Sequence, residues 1–344
     1  MSKYKCLFLL ICLITAYVQC NIRIKQRGVN LNLSAIPPQY LSDYNFFVGN
    51  MAEMIPNAQV IRYKIKNYQF SLSARCNNYI YIPEGKKTSY IDTGLLQLPV
   101  GSCLIKNLYI PNDLENVDLD QTLIETQLLI LSDAGWEAYS YVWNEEQKDA
   151  VLVTESEIKN VNLFSHSGGR LNASLFSNIS SSCRSCHFVD NKISPIGLKV
   201  RNLNLEVQWD GSSQNQLEYW ASKGILTGLT CPATKPSIIS YTDTLSNTIE
   251  ERARAYLDIN CAHCHNAKTQ NAKLAFDFSY ENQDLRNLGI IEALKYFKSL
   301  DLKNIEKVHT NKLGFKAPII DVFDKAGLNL IKNWITSIDT NRIN

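Results

Sequence analysis

Between Leu41 and Trp143 the apolar positions fall in short runs rich in Tyr, Ile, Leu and Val. The runs Gln59 to Ile65, Tyr79 to Ile82, Leu95 to Leu98, Ser102 to Ile110, Thr122 to Leu131 and Glu137 to Trp143 read as strands, because β-branched and aromatic side chains suit a pleated, half-buried surface. Pro83-Glu84-Gly85, Pro111-Asn112-Asp113 and Asp133-Ala134-Gly135 punctuate them and are turn formers. Strands at this spacing predict a compact antiparallel sheet whose aromatics form a core. Ahead of it, residues 21–40 are polar and irregular and end at Pro37-Pro38, the pattern of a linker.

The period then changes. Leu217, Trp220 and Ala221 share one face of a helix over Asn215 to Lys223, with Gly224 as its stop. Pro232 and Pro236 break the chain before a capping-box match, Thr248-Ile249-Glu250-Glu251, which opens a helix through Ala255 and Leu257 that delivers Cys261 at its end. Leu328, Ile331, Trp334 and Ile335 lie at helical spacing in a last helix, Asp324 to Ile335, with Asp324 as its N-cap. The fold class predicted is α+β, an N-terminal antiparallel β-rich domain followed by a mostly α-helical region.

A chain of 344 residues is long enough for two or three domains. A net charge of +2 without a Lys/Arg stripe gives no reason to expect nucleic-acid binding. Lys3 and Lys5 precede the apolar run Leu7 to Val18, too short to span a bilayer comfortably and right for a signal-peptide core. Val18-Gln19-Cys20 offers a cleavage site before Asn21, so residues 1–20 read as a signal peptide and the mature chain as periplasmic or secreted. A lipoprotein anchored at Cys20 is the less favoured rival, because Gln19 is a poor neighbour for lipidation. No later run approaches the roughly 20 apolar residues of a membrane helix, so no transmembrane span is expected in the mature chain.

Two stretches carry chemistry. Cys183-Arg184-Ser185-Cys186-His187 and Cys261-Ala262-His263-Cys264-His265 both read C-x-x-C-H, the pattern for covalent attachment of a c-type haem. The two thiols add to the porphyrin vinyls and the histidine ligates the iron from below. With ten Cys and five His in 344 residues, chance supplies such a motif in only ~0.004 of chains, so two copies are not accidental. A zinc site built from Cys183, Cys186, Cys261 and Cys264 is the main competitor, and it leaves the histidine after each pair unexplained. A thioredoxin-like pair lacks its βαβ context. His263 reads as one of the two variable residues of its motif. Residues 41–160 are therefore taken as the β-rich domain, 161–235 as a first haem c segment and 240–344 as a cytochrome c-like domain with the second haem. In the loop Ser194-Pro195-Ile196-Gly197, the carbonyl of Pro195 is expected to accept the Nδ1 proton of His187. Of the other thiols outside the leader, Cys76 and Cys103 are candidates for a disulfide stapling the N-terminal domain, and Cys231 is expected as a buried small apolar residue before Pro232.

Taken together, the chain resembles a family of exported bacterial dihaem c-type cytochromes that join an N-terminal β-rich domain to cytochrome c-like segments, mostly without an assigned reaction. The residues that carry the resemblance include Leu41-Ser42-Asp43-Tyr44, Tyr81-Ile82-Pro83, Tyr109-Ile110-Pro111-Asn112-Asp113, Trp136-Glu137-Ala138, Tyr141-Val142-Trp143-Asn144-Glu145-Glu146-Gln147, Arg201-Asn202-Leu203-Asn204 and Ala253-Arg254-Ala255-Tyr256-Leu257-Asp258. The resemblance spans most of the mature chain. It implies two covalently bound haem c groups and redox partner proteins, among them a sugar-dehydrogenase-like oxidoreductase as a source of electrons. Relatives carry a Met before a Pro ahead of the last helix, where it can serve as distal ligand of the second haem. The matching position here is Ala317, before Pro318.

The second iron thus lacks its expected thioether. His309, Lys312 or Lys316 replaces it, or the iron is open, or the relatives' Met never ligates. His166 is the nearest candidate for the first haem, while Met51 and Met54 read as packing groups. The adjacent acids Glu145 and Glu146 read as solvated charge rather than catalytic carboxylates. No catalytic residue is assigned. The leading expectation is an electron carrier rather than a catalyst, and the alternative is a dihaem cytochrome c peroxidase-like protein or other haem oxidoreductase with an open second iron.

Overall fold

The structure, a computed structural model, describes residues 27–68, 75–111, 121–153, 157–164, 170–177, 187–189, 192–209, 211–263, 265–266, 276–286, 288–289 and 325–338. Its architecture is α+β. The strands β1 (Val60–Tyr63), β2 (Arg75–Tyr81), β3 (Thr88–Ser89), β4 (Cys103–Pro111), β5 (Gln121–Ser132), β6 (Gly135–Trp143) and β7 (Ala150–Leu152) come first. All but β3 form one antiparallel sheet in the order β1-β2-β4-β5-β6-β7. The expected strand Leu95 to Leu98 is instead an extended edge segment: Leu95 makes an isolated bridge to Lys199, and Leu96 N donates to Leu198 O at 3.0 Å.

Alternation along the strands gives the sheet two apolar faces. On one, Tyr79, Tyr81, Cys103, Ile105, Leu128, Ile130, Tyr141 and Trp143 are covered by Leu41, Tyr44, Phe46, Phe47, Met51 and Met54. A buried polar chain crosses this core. Asn107 Nδ2 donates to Met54 Sδ at 3.0 Å, Thr126 Oγ1 donates to Asn107 Oδ1 at 2.7 Å, and Trp143 Nε1 donates to Thr126 Oγ1 at 3.0 Å. Met51 and Met54 are therefore core residues, and the Met54 sulfur is already taken. The described part of the expected linker is tied down too. Asn30 N donates to Tyr44 O at 2.8 Å, Leu152 N donates to Gln39 O at 2.8 Å, and Val29 and Leu31 pack on the core.

The other face carries Tyr63, Ile80 and Leu104 and is covered by later chain: Leu198, Val200 and Leu203 in and beside α1 (Val200–Leu203), and Leu217 and Trp220 of α2 (Gln216–Ser222). Between these helices lies the hairpin of β12 (Glu206–Trp209) and β13 (Ser212–Asn215). Asn215 caps α2, accepting from Leu217 N at 2.9 Å. Just beyond, β14 (Leu226–Thr227) pairs in parallel with β3, so the second stretch of chain is laced into the first. A hairpin of β8 (Glu157–Phe164) and β9 (Arg170–Ser177) straddles the boundary expected at residue 160. A short hairpin, β10 (Phe188–Val189) with β11 (Lys192–Ile193), follows the first motif.

The third core belongs to two helices. The capping box forms as read: Glu251 N donates to Thr248 Oγ1 at 3.2 Å and Thr248 N to Glu251 Oε2 at 2.9 Å, opening α3 (Ile249–Asn260) with Cys261 as its C-cap. Its Ala253, Tyr256 and Leu257 pack on Leu330, Ile331, Trp334 and Ile335 of α4 (Lys325–Ser337). Gly327 makes the crossing possible, because a Cβ at that position would overlap the Tyr256 ring. Asp324, the expected cap of α4, lies outside the described residues.

Two cysteine readings are corrected. Cys76 pairs across the ladder with Leu108 and Cys103 with Tyr81, so the two lie five rows apart on β2 and β4, about 17 Å along the strands. A disulfide needs Cα atoms within about 7 Å, and both thiols are free. Odd spacing also sends them to opposite faces. Cys231 is exposed rather than buried, since it caps a surface 3-10 turn at Pro232–Thr234, where its carbonyl accepts from Thr234 Oγ1 at 2.9 Å.

Candidate haem-attachment site

His187 precedes β10, and the hairpin folds it back on Ser194. Ser194 N donates to His187 O at 2.6 Å, and His187 Nδ1 donates to Ser194 O at 2.8 Å. A carbonyl can only accept, so the imidazole proton sits on Nδ1 and Nε2 keeps its lone pair. The acceptor is thus Ser194 and not Pro195. Pro195 acts one step away, since the residue before a proline is confined to extended backbone, which fixes where the Ser194 carbonyl points. Burial lowers the His187 pKa, the Ser194 bond works against that, and the Lys106 ammonium on β4 lowers it further.

The loop after Ser194 is pressed onto the last turn of α3. Gly197, at φ +83°, sits where a Cβ would be 3.4 Å from Ile259 Cδ1 and 3.3 Å from Asn202 Nδ2, so its conformation favours glycine and its neighbours stand close. Two residues on, Lys199 Nζ lies 2.8 Å from Asp258 Oδ1, and Arg201 Nη2 lies 2.7 Å from the same oxygen. Arg201 and Asp258 are buried. Burial alone would raise the Asp258 carboxyl, but the Lys199 and Arg201 charges outweigh it and hold the pKa below its ordinary value. The knot extends outward: Tyr280 N donates to Asp258 Oδ1 at 3.3 Å, Arg201 pairs with Glu281, and the Arg201 and Arg254 guanidiniums lie 5.6 and 5.8 Å from the Tyr280 ring centre.

This packing brings the described part of the second motif within electrostatic reach of His187. Cys261 N donates to Leu257 O at 2.8 Å and His265 N to Cys261 O at 2.9 Å, so the motif continues the helical turn past the end of α3. Phe278 N donates to His265 O at 2.9 Å, and the Phe276 and Phe278 rings stand 6.3 and 5.4 Å from the imidazole. His263 is not a bystander. Its Nδ1 is sealed from solvent with no hydrogen-bond partner, and burial, followed by the charges of His187 and His265, brings its pKa down to about 4. All the described histidines are therefore gathered at this one place.

No family model matches the chain, and no curated protein or solved structure matches it either.

The residues described at the two motifs fit a c-type haem. A neutral imidazole with Nδ1–H held by a carbonyl is the form in which histidine ligates a metal through Nε2. Among the described residues no three His, Cys, Asp or Glu side chains converge to hold a bare metal ion. Cys183, Cys186 and Cys264 lie outside the described residues, as do Cys20, His166, His309, Lys312, Lys316, Ala317 and Pro318. Glu145 and Glu146 stand exposed on a turn, away from this site. The long-range contacts of Lys199, Arg201 and Asp258 leave no mark in a sequence pattern. His263 was visible as a histidine inside the motif, but its burial was not. Among the described residues no helix is long and apolar enough to cross a membrane.

Proposed function

We propose that the protein is an exported c-type cytochrome with two covalent haems that carries electrons between redox partners. The observation that supports this most is the pair of C-x-x-C-H motifs in the sequence, with the first motif's His187 held as the Nδ1–H tautomer by the Ser194 carbonyl. Bound iron porphyrins supply one-electron exchange. The chain's residues have separate tasks. Cys183 with Cys186, and Cys261 with Cys264, would hold the groups as thioethers, and His187 and His265 would ligate the irons. The Ser194 carbonyl orients the His187 ring and raises its basicity. Phe276 and Phe278 keep water from the flank of His265. The crossing of α3 and α4 behind Cys261 is the frame we assign to a small cytochrome c domain. The leader directs export, and a docking oxidoreductase of the sugar-dehydrogenase kind supplies electrons.

The test is expression of the full chain with its leader in a cytochrome-maturing host. Haem stain that survives denaturing electrophoresis and two haems per chain are expected, with one haem lost in Cys186→Ala and one in Cys264→Ala. Colourless protein, or zinc in place of iron, sinks the reading. Fast cyanide binding by a high-spin haem would instead mark the peroxidase-like alternative.

A further inference from the structure

We propose that the large sheet carries a binding site for a zwitterion with an apolar body, an amino acid or a short peptide, whose carboxylate meets Arg62 and whose ammonium meets Glu53. A cleft of about 370 Å³ lies between residues 52–56 and the strands β1, β2, β4 and β5. That is the size of a small-ligand site. None of its walls comes from either attachment motif, so the inference stands apart from the haem reading. Met54, Ile55, Tyr79 and Leu123 give the cleft an apolar wall, with Ile55 still 46% exposed. Its corner is fixed in advance. Met54 stands at φ +50°, uncommon backbone for a residue with a side chain, and its carbonyl accepts from the Tyr79 hydroxyl at 3.3 Å.

The charges in the cleft choose the ligand. Arg62 Nη2 donates to Asn77 Oδ1 at 2.9 Å, and the guanidinium carbon lies 5.7 Å from the centre of the Trp209 ring on β12. A guanidinium held on two sides loses little freedom when it binds, and its planar fork matches a carboxylate. Yet among the described residues no carboxylate forms an ion pair with Arg62. Glu53 lines the same cleft, receives the Asn50 amide at 3.4 Å, and has no cation paired with it among the described residues. Opposite charges that share a cleft without joining each other suit a ligand that carries both. A plain anion would be repelled by Glu53 and a plain cation by Arg62, while the wall takes up an apolar side chain.

The full chain is titrated calorimetrically with four probes that share one apolar body: L-leucine, leucyl-leucine, isocaproate, which lacks the ammonium, and isopentylamine, which lacks the carboxylate. The proposal expects saturable binding of one or both zwitterions, the tighter of the two naming the source, and about tenfold weaker binding or less from the singly charged probes. Arg62→Gln and Glu53→Gln each weaken the zwitterion by about tenfold, and Lys64→Gln, outside the cleft, leaves it unchanged. Both cleft residues are exposed, so the variants should fold, and the ligand should raise the Tm of the parent more than that of either. Isocaproate or isopentylamine binding as tightly as leucine overturns the proposal. So does full affinity in Arg62→Gln or Glu53→Gln, an equal loss in Lys64→Gln, or no saturable binding of either zwitterion at about 10 mM. Should one cleft variant fail to accumulate, the other decides.

Discussion

Asp258 ties the segment after the first motif to α3, for one carboxylate oxygen receives Lys199 and Arg201 and sits on the turn that leads into Cys261. Removing one partner of a buried ion pair leaves the other charged and unsolvated, which costs about 3 kcal/mol. Asp258→Asn should therefore lower the free energy of unfolding at neutral pH by about that amount, read as an earlier urea midpoint. The pH dependence follows from the depressed carboxyl. Its stabilisation is complete above the unfolded value of about 3.9 and disappears as pH falls from there through the folded pKa. Unfolding curves of the parent and Asp258→Asn should differ at pH 7 and draw together on acidification; a gap that stays constant would show that the carboxylate charge is not what matters.

Among the elements, the crossing of α3 and α4 depends on a missing side chain. Gly327→Ala puts a methyl into the Tyr256 ring, and overpacking of this kind costs about 2 kcal/mol. We expect a lower Tm for Gly327→Ala and recovery in Gly327→Ala with Tyr256→Leu, measured by thermal circular dichroism. Both helices were legible in the sequence because caps and apolar period are local: Thr248 with Glu251, and Leu328, Ile331 and Trp334, each signal within one or two turns. The long strands β4, β5 and β6 were legible for the same reason, whereas Leu95 to Leu98 and the short strands β3 and β7 were not. What escaped was pairing between distant stretches. Nothing near Thr88 announces Leu226 as its neighbour, and nothing near Cys76 shows that the register puts it at the far end of the ladder from Cys103. At the candidate site, the motifs singled out Cys261, His187 and His265 by position, while the ion knot and the burial of His263 arise only once the chain is folded.

At the scale of the whole molecule, the sheet is shared property. One face is closed by residues 41–54, but the other is closed by Leu198, Leu203, Leu217 and Trp220, which belong to the stretch after the first motif. The β-rich part is therefore not a separable domain. A fragment ending at residue 160 should bare Ile80 and Leu104 and bind the dye ANS or aggregate, whereas a fragment ending at residue 240 should remain monomeric with near-native sheet content; monomeric behaviour of the shorter piece in gel filtration would refute this.

The lacing of β14 to β3 joins positions 139 residues apart, with Thr227 Oγ1 donating to the Thr88 carbonyl. A polypeptide synthesised front end first must wait for that late arrival. Until then half of its sheet stands as an open greasy wall, and contacts of such long reach are slow to form. In that interval the nascent chain is a natural client for a holding chaperone.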